Sequence, residues 1–167
     1  MNPTVTPTDT TAQLSGKYLT VLLNGESYGM AVKNVREIIR HQRITPVPQM
    51  PSFVKGVINL RGRLVPVIDL RSRFDLPAGV ADRTCIVVTQ VTGPAGQSVQ
   101  IGLVVDGVED VAQLTDDEIE APPAFGIGAD SSYLLGMART EGRVIMLLHL
   151  DRTVGGATIA ALSTPVT

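Results

Sequence analysis

Apolar residues along this chain fall in short runs that alternate with polar positions and break at turn residues. Tyr18–Leu23 is one such run, and Asn24-Gly25 follows it. That dipeptide is a strong two-residue hairpin signal because both positions tolerate positive φ. Ser27–Val32 is read as the returning strand. From Val32 the apolar spacing changes to Val32, Val35, Ile38 and Ile39, which predicts one face of a short helix. Thr45-Pro46-Val47-Pro48 predicts extended chain, since proline lacks a donor and disfavours helix before it. Pro51–Val54 reads as a single helical turn opening on proline.

Gly56–Leu60 and Leu64–Leu70 are predicted strands joined at Arg61-Gly62-Arg63, with Pro66 suggesting an edge or a bulge. Thr84–Val91 and Val99–Asp106 flank a longer hairpin loop. Weaker strands follow at Gly107–Leu114 and Tyr133–Arg139, and Glu141-Gly142 turns into Arg143–Leu150. Val, Ile and Thr together number 48, and β-branched residues suit a pleated, half-buried surface. Strands spaced about 8–12 residues apart imply an all-β barrel or sandwich. The helices of ten or more residues that a βαβ fold needs are missing from the pattern. The Thr- and Pro-rich first 16 residues read as a flexible arm, and residues 153–167 as a frayed or weakly helical tail.

Composition narrows the function classes. The 167 residues carry 14 Lys+Arg against 16 Asp+Glu, with 44% hydrophobic residues. Near-neutrality argues against a bulk nucleic-acid binder, and such apolarity against disorder. One Cys makes no internal disulfide. The longest apolar run falls short of the roughly 18 residues of a membrane span, and the first residues lack a signal-peptide pattern. The expectation is a soluble, cytoplasmic protein. The net charge of −2 hides a split: Lys33–Arg73 sums to +7 and Asp75–Glu120 to −8. That asymmetry points to interaction surfaces.

Candidate chemistry is sparse. His41, placed after the expected helix, and His149, placed within the last strand, lack second ligands nearby for a metal. Cys85 sits in an apolar run with no local base to activate it. Thr115 before Asp116-Asp117-Glu118 predicts a capped helical turn rather than a calcium loop. Gly126-Ile127-Gly128 is a poor dinucleotide fingerprint. With no nucleophile–base pair, metal cluster or cofactor site in view, the chain reads as a non-enzymatic binding module.

Several segments in order resemble the CheW-like adaptor family of bacterial chemotaxis. Phe53-Val54-Lys55-Gly56-Val57-Ile58-Asn59-Leu60-Arg61-Gly62-Arg63-Leu64-Val65-Pro66-Val67-Ile68-Asp69-Leu70 looks like the family's most diagnostic stretch. Tyr28-Gly29-Met30 and Val35-Arg36-Glu37-Ile38 match its early elements. Gly102–Val111 is similar to its second signature, and Tyr133-Leu134-Leu135-Gly136 completes the order. The resemblance implies two small SH3-like five-stranded barrels packed together with short helical turns. The barrels are expected at about 17–80 and 81–152, with strand exchange between them. It further implies an adaptor between the cytoplasmic tip of transmembrane chemoreceptors and the regulatory domain of the CheA histidine kinase, recruited to receptor arrays without inserting in the membrane. Carried over by position, the receptor groove would use Val32, Val35, Glu37, Gly56, Arg61, Cys85 and Val111. The kinase face would use Ile39, Ile44 and Val47. A small-barrel nucleic-acid binder, suggested by the +7 segment, is the alternative.

Overall fold

A computed structural model describes residues 14–122 and 133–163. The hairpin signals convert directly into strands. Asn24-Gly25, Arg61-Gly62 and Glu141-Gly142 all adopt positive φ, and join β1 (Gly16–Leu23) to β2 (Glu26–Ala31), β4 (Val54–Leu60) to β5 (Arg63–Asp69), and β10 (Leu134–Thr140) to β11 (Arg143–Leu148). The other strands are β3 (Val35–Arg40), β6 (Cys85–Thr92), β7 (Ser98–Val105), β8 (Gly107–Leu114) and the two-residue β9 (Ile119–Glu120). The helical pieces are short: α1 (Leu70–Arg73), α2 (Leu150–Val154) and α3 (Gly156–Ser163). The chain is all-β, as the pattern predicts.

The strands form two sheets, one in the order β8-β1-β2-β11-β10-β9 and one in the order β3-β6-β7-β5-β4. Their membership cuts across a division near residue 80. The first sheet draws on both ends of the chain, because β11 lies parallel to β2 through the pairs Ile145↔Ser27 and Met146↔Tyr28. The second takes the middle of the chain and closes with the parallel pair β5–β7. The two-residue β9 brings the first sheet to six strands.

Three apolar clusters explain how the sheets stack. Tyr18, Leu114, Ile119, Ile145 and Leu147 form a cluster entirely within the first sheet. Ile58, Val65, Val67, Ile86 and Val104 form one entirely within the second. The largest cluster takes Leu19, Val21 and Met30 from the first sheet and Ile68, Val87, Leu103 and Val105 from the second. Each sheet thus buries one face on its own core and the other on a shared core. That is the arrangement of two small barrels packed side by side, since an open sheet would leave its second face wet.

Several expectations need correction. Val32–Ile39 is not a helix: only Val32–Asn34 makes a 3-10 turn, and Val35–Arg40 is strand β3, laddered on β6. The β-branched residues gain more from that ladder than from a solitary helical turn. His41 therefore follows a strand end, not a helix C-terminus. Pro51–Val54 is a hydrogen-bonded turn, with Val54 N donating to Pro51 O at 2.9 Å. Pro66 lies on an interior strand, and its missing donor is harmless for a legible reason. Its cross-strand partner Val57 spends both backbone groups on Thr45, so Pro66 faces away from β4, toward the side where pairing with β7 begins only at Val67.

The tail, expected to be frayed or weakly helical, forms a helix over Gly156–Ser163. Gly155 at φ 96° ends α2, and α3 then buries Ile159 completely. Tertiary ties hold this corner: Asp151 Oδ1 accepts from Thr92 N at 2.9 Å, and Arg73 Nε donates to the Thr153 carbonyl at 2.8 Å. His149 lies beyond the last strand and caps α2, its Nδ1 accepting from Arg152 N at 3.2 Å. Burial, with the nearby Arg152 charge, lowers the His149 pKa. A lowered folded-state pKa means that this contribution is complete above the unfolded imidazole value and is lost as pH falls through the folded one. Thermal scans should therefore show a loss on acidification that His149→Asn, a cap that does not titrate, does not share. The cap is worth about 1 kcal/mol.

The arm through residue 13 and Gly126-Ile127-Gly128 lie outside the described residues. Thr115 does open the expected turn: Glu118 Oε1 accepts from Thr115 N at 3.0 Å, which holds the Glu118 carboxyl below its usual range.

Candidate adaptor surface

The surface positions singled out by resemblance gather mainly around the β3 edge of the second sheet. Along β3 the side chains alternate, with Val35, Glu37 and Ile39 half-buried and Arg36, Ile38 and Arg40 exposed. Val35 packs on the shared core and Ile39 on the second sheet's own core. Val32, 37% exposed, sits in the 3-10 turn where the chain leaves the first sheet. Cys85 opens β6 opposite Arg40, and burial raises its thiol pKa against the opposing pull of Arg83. It is a packing residue, half-covered by the shared core.

Arg61 occupies the tip of the β4–β5 hairpin in the left-handed region, φ 52°. Asn59 Oδ1 fixes this turn by accepting from Gly62 N at 2.8 Å. The Arg61 guanidinium ion-pairs with the Glu37 carboxylate. At 66% and 31% side-chain exposure, such a pair contributes little stability. What it does is hold two opposite charges together between the hairpin tip and the edge strand.

Gly56 owes its identity to close approach. It is buried at φ +139°, and a Cβ there would lie 1.8 Å from the Thr45 carbonyl oxygen. This lets Thr45 and Val57 exchange two backbone hydrogen bonds of 2.9 Å, which straps the 41–50 segment over β4. Ile44, just before that strap, packs on the second sheet's core, while Val47, 40% exposed, lies beyond it. Val47 lines an open groove of about 840 Å³ with Met50, Leu64, Val99 and Leu162. Val111 stands on the other sheet, 54% exposed on edge strand β8 opposite Leu19. The structure therefore brings Val32, Val35, Glu37, Arg61 and Cys85 to one edge. Gly56 supports that edge from beneath, and Val111 belongs to a different edge.

Sequence reasoning missed the residue that ties the sheets together. Arg71 is 2% exposed. Its Nε and Nη2 donate to Asp69 Oδ1 and Oδ2 at 2.9 and 2.8 Å, and its Nη1 donates to Asp106 Oδ1 at 2.9 Å and to the Gly79 carbonyl. Asp106 Oδ2 accepts in turn from Asn24 N at 2.7 Å, in the β1–β2 turn. One buried guanidinium thus links α1, the connection from α1 to β6, the β7–β8 junction and the first hairpin. The available signal was an arginine two residues after Asp69 in an apolar stretch, with a second aspartate ending β7.

The fold and these positions can be set beside known proteins. The family model described as "CheW-like domain" matches residues 17–157. The Klebsiella aerogenes protein named "Chemotaxis protein CheW" is 33% identical over 156 residues, covering 90% of this chain and 92% of that protein. The Myxococcus xanthus "Protein FrzA" is 35% identical over 127 residues, covering 74% of this chain and 76% of that one. Among solved structures, the "scaffolding protein TtCheW" of Thermoanaerobacter tengcongensis superposes with a TM-score of 0.75 at 31% identity, covering 87% of this chain and 96% of that one.

Proposed function

This chain belongs to the CheW-like domain family and is a chemotaxis adaptor, and we propose that it joins the cytoplasmic tip of chemoreceptors to the regulatory domain of the CheA histidine kinase. The observation that carries the partner assignment is the edge where Val32, Val35, Glu37, Arg61 and Cys85 meet. An apolar strip flanked by a partly exposed pair of opposite charges suits an amphipathic helix, with the charges setting its register. The receptor face uses these residues, held from beneath by Gly56, with Val111 as a separate contact on the first sheet's edge, and the kinase face uses Ile39, Ile44 and Val47. The protein alters kinase activity by differential binding to the states of its two partners, with no chemistry of its own. No helix of the described residues is long and apolar enough to cross a membrane. Membrane arrays recruit the chain through the receptors.

The test is co-sedimentation of the purified chain with receptor-containing membranes and kinase. Glu37→Arg and Arg61→Glu should each reduce receptor co-sedimentation about tenfold, as for loss of roughly 1.4 kcal/mol, with unfolding midpoints unchanged. Equal recovery of variants and wild type would remove both residues from the interface.

The nucleic-acid alternative is set aside by the family assignment, and the fold explains why the basic segment misled. Arg71 is buried between aspartates and Arg61 is neutralised by Glu37. The aromatic of that segment and the one just after it are both spoken for: Arg73 covers Phe53 at 5.0 Å, and Phe74 packs on Tyr28 and Tyr133. A stacking platform for bases would need them free.

A further inference from the structure

The β1–β2 hairpin turns on Asn24-Gly25, and of the four asparagines in the chain Asn24 alone precedes glycine. Both turn residues are exposed. Asn24 lies at φ 53° and Gly25 at φ 82°, and a Cβ on Gly25 would meet nothing within 4 Å. The Gly25 nitrogen lies beyond the last ladder pair, Leu23↔Glu26, and the Asn24 carboxamide meets no hydrogen-bonding partner among the described residues. Asn34 and Asn59 differ on each count. Asn34 Nδ2 donates to the Gln90 carbonyl at 3.1 Å, and Asn59 Oδ1 accepts from Gly62 N at 2.8 Å. Val35 and Leu60 follow them, each screening its own backbone nitrogen with a branched side chain as Gly25 does not.

We propose that Asn24 is a site of spontaneous covalent modification, converting to aspartate and isoaspartate through attack of the Gly25 backbone nitrogen on the Asn24 side-chain carbonyl. The Gly25 nitrogen bonds to Cγ, and the bond from Cγ to the carboxamide nitrogen breaks. The proton of the Gly25 nitrogen passes through solvent to the departing group, which leaves as ammonia. Water then opens the five-membered succinimide at either carbonyl. One opening gives aspartate; the other gives isoaspartate, with the main chain rerouted through the former side chain. Asp106 also precedes glycine, but Arg71 and Asn24 engage both its oxygens, and an ionised carboxylate has no ready leaving group. The position of the turn gives the change its consequence. Asn24 N donates to Asp106 Oδ2 at 2.7 Å, and Asp106 Oδ1 accepts from the buried Arg71. Either product sets a second carboxylate beside that of Asp106, where like charges repel. Isoaspartate also adds a backbone atom to a two-residue turn and disturbs its closure at Leu23↔Glu26. The modification loosens the link through which Arg71 holds the first hairpin.

Peptide mapping of the purified full chain, kept folded for days in warm, mildly alkaline buffer, tests this independently of the adaptor reading. The amide should be lost at Asn24 and retained at Asn34 and Asn59, and position 24 should become a substrate for methylation by an isoaspartyl methyltransferase used as a reagent. Gly25→Ala, whose methyl group meets no neighbour, should slow the loss. Asn24→Asp, which copies one product, should lower the urea midpoint, and by less in an Asp106→Asn background than in the wild type. An Asn24 amide that survives in the folded chain would overturn the proposal, whether or not the same chain loses it in urea. Loss at Asn34 or Asn59 as fast as at Asn24 would do the same, as would an Asn24→Asp chain as stable as the wild type.

Discussion

Arg71→Met is expected to destabilise the protein by about 3–5 kcal/mol, the usual cost of stripping one partner from a buried ion pair. Asp69, at 6% side-chain exposure, would be left as an uncompensated buried carboxylate, whereas Asp106, at 34%, can turn to water. Against a total stability of about 5–15 kcal/mol for a domain, that is a large fraction. Urea unfolding should show the midpoint fall with little change in slope. Arg71→Lys should rescue poorly, because an ammonium cannot reproduce the fork on both Asp69 oxygens while also reaching Asp106 and Gly79. Asp69→Asn combined with Arg71→Met should recover part of the loss by removing both charges. A midpoint for Arg71→Met within about 0.5 kcal/mol of wild type would mean that the network is not holding the sheets together.

Gly56→Ala should be the second most damaging change, at about 3 kcal/mol, from a glycine-only backbone region combined with a direct clash. The atoms in the way are backbone: Thr45 O at 1.8 Å, Thr45 C at 2.6 Å and Pro46 Cα at 2.9 Å. No rotamer change can relieve them, so the 41–50 strap must lift and the Thr45–Val57 bridge must open. Hydrogen exchange at Thr45 and Val57 should accelerate before global unfolding does. Gly62→Ala is the control, since a Cβ there meets nothing within 4 Å and pays only for its φ of +87°, about 1 kcal/mol. Equal costs at the two positions would show that the strap yields without penalty.

The two variants probe parts of the molecule that differ in legibility. Gly56 stands in the stretch that resembles the family most closely, yet its reason is a contact with Thr45, eleven residues earlier, that local pattern cannot register. Arg71 lies in the +7 segment and reads there as one more surface cation; only folding places it between Asp69 and Asp106. Val32–Ile39 misleads because Glu37 takes an inward position for its pairing with Arg61 while Ile38 faces out. That breaks the strict alternation by which a half-buried strand announces itself and leaves a spacing that imitates a helix. Of the positions carried over from the resemblance, Val32, Val35, Glu37, Arg61 and Cys85 fall around one edge of the fold. Val111 is on the opposite edge, a separation invisible in a linear reading.

What the sequence determines by itself is local. Asn24-Gly25, Arg61-Gly62 and Glu141-Gly142 set three hairpins because few residues accept paired positive φ, and the β-branched runs between turns have little alternative to strand. Those choices act within a few residues, and they make the chain all-β with its hairpins in place. Which strands meet was decided by the tertiary structure: β11 beside β2, β5 beside β7, and β3 and β8 left as edges. Parallel pairing across long separations has no turn to encode it; it follows from burying three apolar clusters at once. The same holds for charge. Composition shows a basic and an acidic half, but folding pairs Arg61 with Glu37, buries Arg71 between Asp69 and Asp106, and ties Glu109 and Asp110 to Arg143.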